Sequence, residues 1–209
     1  HCVTRRQRQM CIRDSVSGKV IDFHPTIEVE ISYRDGKQNI KTALLGDFNL
    51  YNILCAATVG EIFHIKSEII SKSLESYSPS NHRSQLIKTK TNIVIADCYN
   101  ANPTSTLAAL QSLSSMKVEN KVAILGDMLE LGENEEVEHQ NIVQFMNENN
   151  ISGLLVGGIF SNLKCNFPTF EKVEFILPYL KNMRYENCTI LIKGSRGIKL
   201  EKIIENQIL

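Results

Sequence analysis

Asn92–Met116 reads NIVIADCYNANPTSTLAALQSLSSM: a short apolar run, a polar loop and an apolar-striped segment in direct succession. The run Asn92–Ala96 has the length and β-branched content of a buried strand. Pro103 suits the first position of a helix and Asn102 the cap before it, so a helix is expected over Pro103–Met116. The alternation then repeats. Lys121–Leu125 predicts a second strand and Glu135–Asn149 a polar, amphipathic helix. Ile151–Val156 predicts a third strand ending in Gly157-Gly158, and Phe175–Met183 a helix with Pro178 near its first turn. Thr189–Ile192 predicts a fourth strand, and Gly197–Gln207 a last helix. Strands alternating with helices of this length predict an α/β fold, a Rossmann-like, mainly parallel sheet with helices on both faces. Right-handed crossovers gather the carboxyl ends of such strands on one edge, where ligands bind.

Upstream the pattern changes. Thr26–Tyr33 (TIEVEISY) and part of Gln38–Leu45 alternate apolar and polar residues around Asp35-Gly36, a hairpin signal. Asn49–Phe63 carries apolar residues at three- and four-residue spacing and predicts a helix, with a second around Ser67–Tyr77. Ser78-Pro79-Ser80-Asn81 is turn chemistry and the candidate linker. Residues 1–15, HCVTRRQRQMCIRDS, hold half of the arginines in a chain that elsewhere relies on lysine. They are expected to be a non-native leader, the competing reading being a basic arm for nucleic acid or lipid. The expected organisation is therefore 1–15 leader, 16–78 one domain and 79–209 another.

Bulk properties narrow the function. The 209 residues are 43% hydrophobic with a formal net charge of zero, enough for a real core and without the basic excess of a general nucleic-acid binder. The longest apolar runs fall far short of the ~20 residues of a membrane span. The six cysteines are scattered, with no CxxC pair and no His at metal-ligand spacing. They read as small buried hydrophobes in a reducing cytoplasm.

Three strands run directly into polar or glycine-containing loops: Asp97–Pro103, Gly126–Gly132 and Lys193–Gly197. Asp97 offers a carboxylate suited to a ribose hydroxyl or a magnesium-bound water. Asn100 and Asn102 offer amide donors and acceptors. Lys193 and Arg196 put two cations around Gly194 and Gly197 ahead of the last helix, an arrangement that favours an anion. Each loop alone has a blander reading, as a helix cap, a turn or a solvated basic turn. On one sheet edge the three together predict a single ligand crevice.

DCYNANPTSTLAAL resembles the D-x-Y-N-A-N-P-x-S segment that opens the C-terminal domain in the Mur ligase family. AILGDMLELGE and LIKGSRG resemble later segments of that domain, in the same order. LLGDFNLYNILCAATVG is similar to the G-x-H-N-x-x-N-x-x-A-A stretch near the end of the family's central ATPase domain, and NHRSQ to the G-R-S-Q between the two domains. The resemblance covers about residues 16–209. YNANP and GDMLELG point to the branch that adds D-alanyl-D-alanine to a UDP-muramoyl-tripeptide in peptidoglycan precursor synthesis. It implies a cytoplasmic, monomeric ATP-dependent ligase with ATP and Mg2+ as cofactors and those two molecules as substrates. ATP would phosphorylate the tripeptide carboxylate, the dipeptide amine would attack, and phosphate would leave. Asn49 and Asn52 would lie by the adenine, and Arg83 and Asp97 by the ribose or phosphates. Asn100, Asn102, Lys193, Ser195 and Arg196 would line the cleft where dipeptide and acyl phosphate meet. The resemblance assigns no residue here a catalytic or metal-ligating role.

Departures accompany it. Phe48 stands where the family pattern has His, Asn81-His82 replaces the glycine before Arg83, and Cys98 replaces a small residue. No G-x-x-x-x-G-K-[ST] loop occurs in the 209 residues, so no P-loop lysine is present for the β/γ-phosphates. The family's magnesium ligands and UDP-binding domain are missing as well. The chain alone is therefore expected not to turn over. Two other readings stand beside the ligase: a non-catalytic nucleotide- or peptide-binding module, and a folate-polyglutamate-type ligase, against which YNANP and GDMLELG argue.

Overall fold

A computed structural model describes residues 16–23, 26–80 and 82–209. The arginine-rich start, residues 1–15, and Asn81 of the expected linker lie outside them. The chain divides into two compact units, His1–Ser78 and Pro79–Leu209.

In the first unit β1 (Ser17–Phe23), β2 (Thr26–Tyr33) and β3 (Gly36–Leu45) form an antiparallel sheet in that order. The hairpin signal at Asp35-Gly36 is the β2–β3 turn, where Gly36 takes a φ of 146° that L side chains avoid. β1 is an addition to the sequence reading. Ile27, Val29, Ile31 and Tyr33 of β2 alternate into the core. They pack with Leu50, Ile53, Leu54 and Ala57 of α1 (Asn49–Ile62) and Ile70 of α2 (Ser67–Ser76). Each of the valine, leucine and isoleucine side chains among them, fully buried, stabilises by about 1.5–3 kcal/mol. The Tyr33 hydroxyl, carried into this core, meets Ser71 Oγ at 3.1 Å.

The second unit is a six-stranded sheet of order β4-β5-β9-β6-β7-β8. Its strands are β4 (Gln85–Lys88), β5 (Ile93–Asp97), β6 (Asn120–Gly126), β7 (Ser152–Val156), β8 (Thr169–Phe170) and β9 (Cys188–Lys193). β4 runs antiparallel to β5 and every other pair is parallel, as the α/β reading requires. The four anticipated strands form the middle of the sheet. β4 and β8, which the sequence did not announce, lie at its two edges.

Helices cover both faces. Val173, Ile176 and Leu180 of α6 (Val173–Met183) and Ile203 of α7 (Glu201–Glu205) pack with Val94, Ile124, Val156 and Ile192. The intervening residues Ile95, Ala123, Leu155 and Leu191 turn to the other face. There α3 (Pro103–Ser115) lies on β9 and β6, and α4 (Glu135–Glu148) on β7. A one-turn helix, α5 (Gly158–Asn162), follows β7.

The expected last helix from Gly197 is corrected. Arg196–Ile198 is a 3-10 turn, Lys199 is left-handed at φ 61°, and α7 starts only at Glu201. Arg196 therefore sits on a turn, and no helix dipole begins at Lys193–Gly197.

Candidate functional site

β5 and β9 end in register, with Asp97 opposite Lys193. Lys193 is 3% exposed; its Nζ donates to Asp97 Oδ2 at 2.5 Å and to the Asn100 carbonyl at 2.9 Å. Asp97 Oδ1 accepts the Ser84 backbone N–H at 3.0 Å and the Ser84 hydroxyl at 3.3 Å. A buried ammonium without such partners would cost several kcal/mol. Lys193 thus spends two donors on holding the β5 loop. In that loop Asn100 Oδ1 accepts the Ala101 N–H at 2.9 Å. Asn102 caps α3 as its sequence position predicts: its Oδ1 accepts Ser105 N–H at 2.8 Å, and Ser105 Oγ accepts Asn102 N–H at 3.2 Å.

Beside this pair lies an open cleft of about 500 Å3 lined by His82, Arg83, Cys98, Tyr99, Arg196 and Glu201. The Arg83 guanidinium stacks 3.7 Å from the Tyr99 ring centre and that of Arg196 stands 5.8 Å from it. One aromatic ring thereby gathers two cations from the β4 and β9 ends of the sheet. His82 Nδ1 and Glu201 Oε2 are buried there with no hydrogen-bond partner among the described residues. Two guanidiniums around a stacking ring suit a phosphate-bearing ligand, whereas the unmatched Glu201 oxygen, an acceptor, suits a hydroxyl or ammonium donor on the same ligand. Cys98 is no nucleophile: burial, with Glu201 and Asp97 nearby, pushes its thiol up to about 12.

The β6 loop backs the β9 loop. Gly126 and Gly194 bring β6 and β9 together so closely that a Cβ on Gly194 would lie 2.9 Å from Gly126 Cα. Gly194 is thus required by a neighbouring strand. Asp127 is buried, its Oδ2 accepting Ile159 N–H at 2.9 Å and its Oδ1 Phe160 N–H at 3.0 Å. Burial pushes its carboxyl up; those two N–H donors pull against it. Ser195 is 6% exposed; its N–H donates to the Asp127 carbonyl at 3.2 Å, and its Oγ accepts Leu129 N–H at 2.9 Å.

Of the residues singled out from the sequence, Arg83, Asp97, Asn100, Lys193, Ser195 and Arg196 meet around this edge of the second unit. Asn102 also belongs to it, as an exposed cap. Asn49 and Asn52 belong to the first unit, at the start of α1. Asn49 Nδ2 donates to the Leu45 carbonyl at 2.7 Å and its Oδ1 accepts from Asn52 at 2.9 Å. Phe48, in the place of the family His, folds its ring over Gly46. Sequence reasoning gave no role to Tyr99, although it lies within the quoted YNANP segment, nor to Ser84, Asp127 or His139. Among the described residues no group of three or more His, Cys, Asp or Glu gathers to hold a metal, so no residue here is assigned to Mg2+.

The sequence profile described as Mur ligase, glutamate ligase domain matches residues 82–196. The UDP-N-acetylmuramoyl-tripeptide–D-alanyl-D-alanine ligase of Rickettsia prowazekii (strain Madrid E) is 32% identical over 145 residues, 66% of this chain and 32% of that protein. Its namesake in Bacillus subtilis (strain 168) is 32% identical over 177 residues, 79% of this chain and 39% of that protein. Among solved structures, the UDP-N-acetylmuramoylalanyl-D-glutamyl-2,6-diaminopimelate–D-alanyl-D-alanyl ligase from Acinetobacter baumannii superposes with a TM-score of 0.79 at 26% identity. It covers 92% of this chain and 44% of that one. MurF ligase from Thermotoga maritima in complex with ADP shares the fold, with a TM-score of 0.74 at 19% identity. The chain thus spans between about a third and less than half of the length of these relatives.

Proposed function

This chain belongs to the Mur ligase family, and we propose that it is part of an ATP-dependent ligase joining D-alanyl-D-alanine to a UDP-N-acetylmuramoyl-tripeptide. The observation that carries the reading is the convergence of the β5 and β9 loops, with Arg83 ahead of β4, on the Arg83–Tyr99–Arg196 cleft. The named activity of the relatives in Rickettsia prowazekii and Bacillus subtilis supports the substrate pair. Residues 16–78 are read as the end of the central ATPase domain and residues 79–209 as the C-terminal domain. The working location is the cytoplasm and the working state a monomer; among the described residues no helix is long and apolar enough to cross a membrane.

The chemistry follows from charge. Bound ATP supplies the phosphoryl group that activates the tripeptide carboxylate. Arg83 and Arg196 offset the negative charge that accumulates as the peptide bond forms and phosphate departs. Lys193, held by Asp97, keeps the β5 loop in place, so Asn100 and Asn102 present the dipeptide in one orientation. Asp97 keeps one oxygen within reach of a ribose hydroxyl beside Ser84. In the first unit Asn49 and Asn52 are assigned to the adenine.

The test joins residues 16–209 to the part of the Bacillus subtilis relative that the match leaves uncovered. Phosphate release is then measured with ATP, UDP-N-acetylmuramoyl-tripeptide and D-alanyl-D-alanine. Turnover by the graft, lost in Arg83→Ala, is expected. The chain by itself, without a G-x-x-x-x-G-K-[ST] loop, is expected to release none. A folded graft with no turnover, or one that prefers a single amino acid to the dipeptide, would overturn the reading.

A further inference from the structure

We propose that His139 is a positioning residue, the buried imidazole that fixes the Asp127–Leu131 loop and through it the Ser195–Arg196 wall of the cleft. The inference rests on reading that cleft as the ligand site.

His139 is 0% exposed on α4 and stands edge-on to Phe160, ring centres 4.5 Å apart at 75°. Its Nδ1 lies 2.6 Å from the Glu135 carbonyl, an oxygen that can only accept, so Nδ1 carries the proton. Nε2 is then a lone pair, and it receives the Met128 N–H at 2.9 Å. Asp127 Oδ1 faces Nε2 at 3.7 Å, yet both Asp127 oxygens already take the Ile159 and Phe160 amides. The imidazole therefore serves the backbone and not an ion pair.

The contact propagates. One residue beyond Met128, Leu129 N–H donates to Ser195 Oγ, whose own proton is directed to the Ala101 carbonyl at 3.5 Å. The Leu129 side chain lies against Gly197, where a Cβ would come within 2.9 Å of its Cδ1. A continuous series of contacts thus runs from α4 through the β6 loop to the β9 loop, which carries Arg196, and on to the β5 loop. A leucine could fill the volume of the ring, but it would leave the Met128 amide buried without an acceptor. Both ring nitrogens are engaged, one within the helix and one across to the loop, an arrangement that volume filling alone does not call for.

Three measurements on the full chain test this. Imidazole 15N shifts should show His139 protonated at Nδ1 and bare at Nε2; a protonated Nε2 overturns the proposal without any variant. Amide exchange at Met128 and Leu129 is then compared with Val122–Leu125 of β6 as internal reference. His139→Leu is expected to speed exchange at the two loop amides by about tenfold, the loss of one backbone hydrogen bond, with β6 little changed. His139→Gln, which keeps an acceptor, is expected to stay within about twofold of the parent. Uniform loss of protection across β6 in both variants would reveal a packing role only and sink the idea. ADP titration, expected several-fold weaker in His139→Leu and restored in His139→Gln, reads the link to the cleft. Since exchange does not depend on ADP, failure of the parent chain to bind ADP would count against the cleft reading and not against the hold on the loop.

Discussion

Removing Asp97 should cost the second unit far more than removing the lysine it pairs with. Lys193 is the deeper partner: its side chain is 3% exposed against 19% for Asp97. Asp97→Ala leaves an ammonium in the sheet with the Asn100 carbonyl still accepting from it. Stranding a buried charge in this way costs about 3–5 kcal/mol. Lys193→Met leaves a carboxylate that still accepts two bonds from Ser84 and reaches water, so the cost drops to about 1–2 kcal/mol. The double variant strands neither charge. It should cost about 2 kcal/mol, well under the sum of the single changes, because the two groups share one interaction. Urea unfolding followed by the NMR signals of Ile124 and Ile190 isolates this unit from the first. With a slope of about 2 kcal/mol/M, Asp97→Ala should lower the midpoint by roughly 2 M and Lys193→Met by less than about 1 M. Equal shifts for the two single variants, or strict additivity in the double, would refute the asymmetry.

Asn102→Ala breaks the capping box and should destabilise the second unit by about 1–2 kcal/mol, visible as a lower urea midpoint. Gly157→Ala places a Cβ 2.1 Å from Asp127 Cγ at a φ of 134°, so a loss of about 3 kcal/mol or more is expected from thermal unfolding. Cys98 should resist iodoacetamide at pH 8 in the folded chain while exposed Cys55 reacts, as read by peptide mass spectrometry. The Cys98 thiol, lifted from 9.0 to about 12, contributes stability that is full below pH 9 and fades as pH rises toward 12. Cys98→Ala should therefore flatten the alkaline limb of a stability-versus-pH curve; an unchanged limb would contradict the burial argument.

The middle of the parallel sheet was legible because its strands are buried on both faces. IVIA and TILI need no alternation, and only a helix competes with a strand for such runs. β1, β4 and β8 were not legible for the opposite reason. SGKVIDF and QLIK mix polar and apolar residues, and TF is two residues long, so pairing with a neighbour makes them strands. The last helix was placed too early because Gly197–Gln207 has a helical apolar spacing that conceals a left-handed Lys199. At the site, Pro103 made the Asn102 cap readable from local sequence. The Tyr99 ring beneath two guanidiniums, the Ser84 donors to Asp97 and the His139 acceptor for Met128 depend on pairings across 11 to 97 residues. Spacing along a chain carries no trace of those.

β9 lies between β5 and β6, yet it is made last of the six strands. While the ribosome is still adding residues before Cys188, β5 and β6 have no shared partner, and each presents an open edge of unpaired amides and carbonyls. The sheet closes only when Cys188–Lys193 emerges and threads into the gap, and the same event delivers Lys193 to Asp97. Pairings so distant in sequence form slowly, and strands left waiting are exposed to wrong partners. Translation stalled just short of residue 188 should thus yield a chain that a chaperone retains, whereas a stall placed after Cys188–Lys193 has emerged should let it go.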